Sequence, residues 1–163
     1  MSLRDEAHVR THATFLGAEA YGRDEEDGDA EPMGAGAGVL EQIANRLRKD
    51  GLEVDELVHE DRGARIEVES GGEVFRIGID HRGDDFHLWV CAPEGVAGVL
   101  TYGLDLRTVM IRIDQTLKKL SGLRRITWHL RSDWELGDER NGRSKPVPDA
   151  SGPILKARFR QTA

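Results

Sequence analysis

From residue 39 onward the hydrophobic positions switch between a helical and a strand period, and the switches predict the elements. In "VLEQIANRLRKDG", Leu40, Ile43 and Leu47 recur on one helical face, and Gly51 stands at the expected stop. In "YGLDLRTVMIRIDQTLKKLSGL", Leu106, Val109, Met110, Ile113, Leu117 and Leu120 repeat at i, i+3, i+4 and i+7. Asp105 fits a cap for that helix, and Gly122 followed by Leu123 fits a Schellman stop. Between the two helices, apolar and polar positions alternate up to Ala92, which predicts a β-meander. "RRITWHLRS" predicts a further strand with Ile126, Trp128 and Leu130 on one face. Residues 137–153 read as a long loop, and "ILKARFRQT" as a closing strand.

Side-chain parity sets the hairpin registers, because a one-residue slip would turn every apolar side chain to the wrong face. In "VFRIGIDHRGDDFHLWVC", a two-residue turn at Gly83-Asp84 pairs Arg82 with Asp85, Ile79 with Leu88 and Ile77 with Val90. The opposite face then sets Asp80 across from His87, Gly78 from Trp89 and Arg76 from Cys91. The preceding hairpin turns at Gly71-Gly72, pairing Val68 with Phe75 and Ile66 with Ile77, with Glu67 facing Arg76 and Arg65 facing Gly78. The first hairpin, "LVHEDRGARIEV", admits two registers.

Residues 1–38 read as an acidic, glycine-rich extension. A helix over 4–21 would be weakly amphipathic, and "RDEEDGDAEPMGAGAG" reads as a linker over 22–38. Residues 39–163 read as one α+β domain. The expected architecture is a two-layer sandwich, an antiparallel meander sheet of five or six strands packed on one face by two helices.

Charge sharpens the picture of partners. Residues 1–38 carry nine acids against three bases, 39–121 sixteen against eleven, and 122–163 five against nine, for a net −7. Polyanion binding depends on neutralising bases, so the balance argues against general nucleic-acid binding. A local contact through Arg124, Arg125, Arg131, Lys156, Arg158 and Arg160 is the exception to test. The single cysteine excludes an internal disulfide and a zinc site built on paired cysteines. No apolar run approaches the ~18 residues of a membrane span, and "MSLRDEAHVR" lacks a signal-peptide core, so a cytoplasmic location is expected.

Asp80, Asp85 and His87 share a predicted face and could hold a divalent metal through oxygen and imidazole ligands. His8 and His12 have an i, i+4 spacing but lack the glutamate of H-E-x-x-H, so they read as a surface pair. "GAGAG" lacks the G-x-G-x-x-G spacing and a preceding strand, so it reads as linker rather than phosphate loop. Cys91 has no predicted histidine neighbour and reads as structural. No cofactor is implied by any motif.

The order helix, three strands, helix, strand is similar to the core order of nucleases of the PD-(D/E)xK group. "DFH" (Asp85, Phe86, His87) falls where that group carries its acid-x-lysine, with His87 in place of the lysine. The resemblance implies a metal-dependent hydrolase or nuclease with a degenerate site. At the coarsest level the order is also similar to the small acidic chaperones of type III secretion, which often act as dimers on client segments. Both helices need the apolar sheet face, which leaves the other open, with Arg65, Glu67, Arg76, Asp80, His87, Trp89 and, from the next strand, His129 and Arg131. Tryptophan and arginine are enriched at interfaces. The leading expectation is therefore a non-enzymatic, chaperone-like or adaptor module. It would bind a protein partner or a second copy through Trp89, His87, Arg65, Arg76 and Arg131.

Overall fold

A computed structural model describes residues 9–22, 34–70, 72–91 and 96–147. The chain is α+β, and its described residues form an open antiparallel sheet of seven strands with helices packed against it. The strands are β1 (His12–Leu16), β2 (Glu53–Val54), β3 (Val58–Glu60), β4 (Gly63–Ser70), β5 (Glu73–Arg82), β6 (Asp85–Cys91) and β7 (Arg124–His129). The helices are α1 (Ala35–Lys49), α2 (Val96–Lys119) and the short α3 (Arg131–Glu135). The strand order is β2-β4-β5-β6-β1-β7, with β3 also paired to β4.

Both parity-derived registers are observed residue for residue. Ile66 pairs with Ile77, Val68 with Phe75, Ile77 with Val90, and Ile79 with Leu88 on the core face. The β5–β6 turn is Gly83-Asp84, and Gly83 has the positive φ that a two-residue hairpin turn demands. The first hairpin resolves to the register pairing Glu60 with Gly63 and Val58 with Arg65.

One corrected element matters most. The helix expected over 4–21 is not what residues 12–21 form. They make strand β1, followed by a 3-10 turn at Ala18–Tyr21, and residues 9–11 are not helical either, while residues 4–8 lie outside the described residues. β1 is an interior strand, bonded to β6 on one side and β7 on the other. The physical reason is a period of two. Val9, Ala13 and Phe15 are buried, while Arg10, His12 and Thr14 point to the opposite face. The linker expected over 22–38 ends early, since α1 begins at Ala35 with Gly36, Ala37 and Gly38 buried. Residues 23–33 and the closing strand expected from "ILKARFRQT" lie outside the described residues.

The core lies between the sheet and the two long helices. Leu40, Ile43 and Leu47 of α1 meet Val109, Met110, Ile113 and Leu117 of α2 and the inward side chains of β4, β5, β6, β1 and β7. The stop signals work as expected. Leu52 N donates to Leu47 O (3.0 Å) after Gly51, and Gly122 takes a left-handed φ after α2.

Candidate functional site

The outer sheet face is read most easily as cross-strand rows. One row runs Val58, Arg65, Gly78, Trp89, His12 and His129 across β3, β4, β5, β6, β1 and β7. The next runs Glu60, Gly63, Asp80, His87, Thr14 and Thr127. A third holds Glu67, Arg76 and Cys91. The residues named from sequence parity therefore share a face, except Arg131. That residue opens α3, is largely exposed, and pairs with Glu135 at 2.9 Å.

The face has two halves. Over β6, β1 and β7 the chain folds back on itself. β7 ends at His129, Leu130 starts α3 with extended backbone, and Gly137 ends the excursion with a positive φ. Residues beyond it return beside β7 through a bridge in which Trp128 N donates to Arg143 O and Arg143 N to Trp128 O. This excursion lays Trp134 across the histidines. Its indole stacks on His87 (centroids 4.0 Å, planes 16° apart) and on His12 (5.6 Å, 13°). His129 sits tilted at 5.6 Å. Arg82 lies over the same indole at 4.6 Å and is held by Asp85 through two hydrogen bonds.

Beneath the indole, the His12 and His87 rings are nearly coplanar (8°), with Nδ1 of His12 2.8 Å from Nε2 of His87. One neutral ring donates and the other accepts. Burial, followed by the charge of Arg131, holds His12 down at about 4, against the opposing pull of Glu135. Burial, then His12 and Arg82, hold His87 at about 3, with Asp85 opposing. His129 is lowered as well, chiefly by burial.

The chemistry available here is limited by what each group already does. Thr14 Oγ1 lies 3.1 Å from His129 Nε2, a nucleophile–base distance. Yet, among the described residues, the buried His129 Nδ1 has no hydrogen-bond partner, where an activated pair would have an orienting carboxylate. His87 Nδ1 is 3.8 Å from Asp80 Oδ2, too long for a hydrogen bond. Asp85 is turned to Arg82 rather than toward His87. Among the described residues, no group of three or more His, Cys, Asp or Glu is placed to hold a metal ion. His8 lies outside the described residues.

The second half, over β4, β5 and the near side of β6, keeps its side chains in solvent. Arg76, Glu67 and Arg65 have side chains 58%, 40% and 39% exposed, and Val58 and Val74 are exposed too. Trp89 lies half-buried across Gly78, so close that a Cβ on Gly78 would fall 2.1 Å from the indole. The Asp80 carboxyl beside it is raised by burial and by Glu60, against the opposing influence of the Trp89 side chain. "GAGAG" borders a separate cavity of about 530 Å³ lined by Ala35, Gly36, Glu60, Asp61, Arg62 and His81, where acids offset the base.

Sequence reasoning missed His12, Thr14, Arg82 and Trp134 as members of one cluster. The alternation Arg10, His12, Thr14 against Ala13 and Phe15 was the available signal for the first two. Trp134, in the polar run "RSDWELG", has no comparable signature. No helix of the described residues is long and apolar enough to cross a membrane. Comparison with protein-family models, with curated proteins and with solved structures finds no match to this chain.

Proposed function

We propose that the chain is a non-enzymatic interaction module that docks a partner protein on the exposed half of its outer sheet face, over β4, β5 and β6. One observation carries the reading: this half keeps Val58, Val74, Arg65 and Arg76 in solvent around a half-buried Trp89, while the other half is covered by the chain itself. Apolar groups, an indole and arginines set among acids are the composition of a protein–protein patch. Glu67 beside Arg76 and Glu60 beside Arg65 leave no excess of positive charge to hold a polyanion. Among the described residues, the absence of an orienting group on His129 and the engagement of Asp85 by Arg82 favour binding over catalysis.

The test is site-specific photo-crosslinking in the cell that makes the protein, with a benzophenone amino acid in place of Val58, Val74 or Arg76, and of the exposed Gln115 on α2 as control. A discrete protein adduct at the three sheet positions and none at 115 is expected, and native mass spectrometry then tells a second copy from another chain. No adduct at any sheet position, or equal labelling at 115, would overturn the reading.

A further inference from the structure

We propose that α3 and the segment 136–147 form an acid-released flap: protonating the imidazoles beneath Trp134 lifts the indole from the outer sheet face while the sheet and its helical layer stay folded. Three strands each send one imidazole to this spot, His12 from β1, His87 from β6 and His129 from β7, and all three lie under one indole. The bonded His12–His87 pair holds together because one proton is shared across 2.8 Å. Protonating either ring sets an imidazolium next to the Arg82 guanidinium already over Trp134, and protonating both sets two positive charges at that separation.

The acids facing the cluster relieve that charge only in part, and burial outweighs them. From β5 come Asp80 and Arg82, from β6 Asp85, from the segment before β1 Arg10, and from α3 Arg131, Asp133 and Glu135, with Glu139 and Arg143 from the returning segment. Asp85 is bound by Arg82 and Glu135 by Arg131, and Asp80 stands beyond hydrogen-bond reach of His87. The depressed values of His12 and His87 agree with an environment that accepts only neutral rings.

The flap is also lightly held. No residue of α3 is buried. Residues 136–147 are tied down by the Trp128–Arg143 bridge, by Arg10 N donating to Pro146 O, by Lys118 Nζ donating to Ser144 O, and by buried Val147. Elements with little buried apolar surface open before the core does. Opening exposes His12, Thr14, His87 and His129, extending the uncovered face from β6 to β7. This holds whether or not the β4–β6 half is a docking site.

The experiment follows the indole resonances of the full chain by NMR from pH 7 downward, with Trp134→Phe to assign them. Trp128, fully buried in the core, is the internal control for global unfolding. Trp134 should move to its free-peptide position between about pH 6 and about pH 4 while Trp128 keeps its folded shift, the opening constant rising about tenfold per pH unit for each imidazole protonated. In His87→Gln the opening should move to lower pH or vanish. If that variant fails to fold, His12→Asn at the rim of the stack should do the same. Trp134 and Trp128 moving together, Trp134 staying in place throughout, or an opening unchanged in the histidine variant would each overturn the proposal.

Discussion

His12 Nδ1 and His87 Nε2 lie 2.8 Å apart although 75 positions separate them in the chain. The contact exists because β1 inserts between β6 and β7 and sets Thr14 opposite His87 and His12 opposite Trp89. Both rings titrate below their unfolded value, so between about pH 6.5 and about 3 the unfolded chain binds protons that the folded chain refuses. Stability contributed by the pair is therefore complete above about pH 6.5 and is lost as pH falls toward about 3, the reverse of a histidine held charged. The raised Asp80 carboxyl works in the opposite sense and offsets part of the loss at the acid end. Discounted for the partial exposure of the site, the loss is on the order of a few kcal/mol. Urea midpoints of wild type and His12→Asn, measured from pH 7 to pH 4, should converge as pH falls. Parallel curves would contradict the assignment.

Trp89 and Gly78 form a second such unit. The indole occupies the space a side chain at 78 would need, the aromatic cover that a glycine on a sheet face permits. Gly78→Ala forces the indole off and should cost about 2 kcal/mol or more, as overpacking does. Trp89→Ala removes a half-buried ring, at a similar cost of about 2 kcal/mol. In the Trp89→Ala background, Gly78→Ala should cost far less, since nothing remains to be displaced. A double-mutant cycle by urea denaturation reads the coupling, and additive costs would show that the two do not share one space.

What was legible in the sequence is what local chemistry fixes. Val68–Phe75, Ile79–Leu88 and Asp80–His87 follow from parity and two-residue turns alone, because a slip by one would bury Arg76 or Asp80. The stops at Gly51 and Gly122 follow from backbone geometry. The helix expected over 4–21 gave way to strand β1 over 12–16 because its apolar stripe was thin and mostly alanine (Leu3, Ala7, Ala13, Leu16 and Ala20), whereas sheet pairing on both sides of β1 buries Ala13 and Phe15 fully. The histidine cluster was illegible for the same reason. His12, His87, His129 and Trp134 come from four elements, and only the long-range placement of β1 and the reversal after His129 bring them together.

Asp114 shows how a helix pattern can hide a buried acid. It falls outside the predicted stripe of α2, yet it is 8% exposed and accepts from Trp128 Nε1 at 2.9 Å and from Lys118 Nζ at 2.8 Å. Asp114→Ala leaves the indole N–H of a fully buried tryptophan without an acceptor, which should cost about 1–3 kcal/mol. Asp114→Asn keeps one acceptor oxygen and should cost less. Lys118 also donates to Ser144 O, so losing Asp114 should loosen residues 143–147 as well, visible as faster amide exchange at Arg143. Equal stability of the alanine variant and wild type would remove Asp114 as the anchor of Trp128.

Gly38 tests whether "GAGAG" is a packed helix start rather than a spacer. A Cβ there would lie 1.7 Å from the carbonyl oxygen of Tyr21, a backbone atom that cannot swing aside. That close approach sets the 3-10 turn against α1, and Tyr21 in turn donates its hydroxyl to Ser121 O at 2.8 Å, tying the turn to the end of α2. Glycine-to-alanine in a free helix should gain about 1 kcal/mol, so the sign of the effect separates the two readings. Gly38→Ala should instead lose about 2 kcal/mol or more by pushing the turn away. Gly34→Ala, with nothing within 4 Å of its added methyl, should cost only what an alanine costs at an N-cap, about 1 kcal/mol or less. Thermal melts of the two variants side by side decide it: a Gly38→Ala protein as stable as wild type would mean that the turn and α1 do not pack as described.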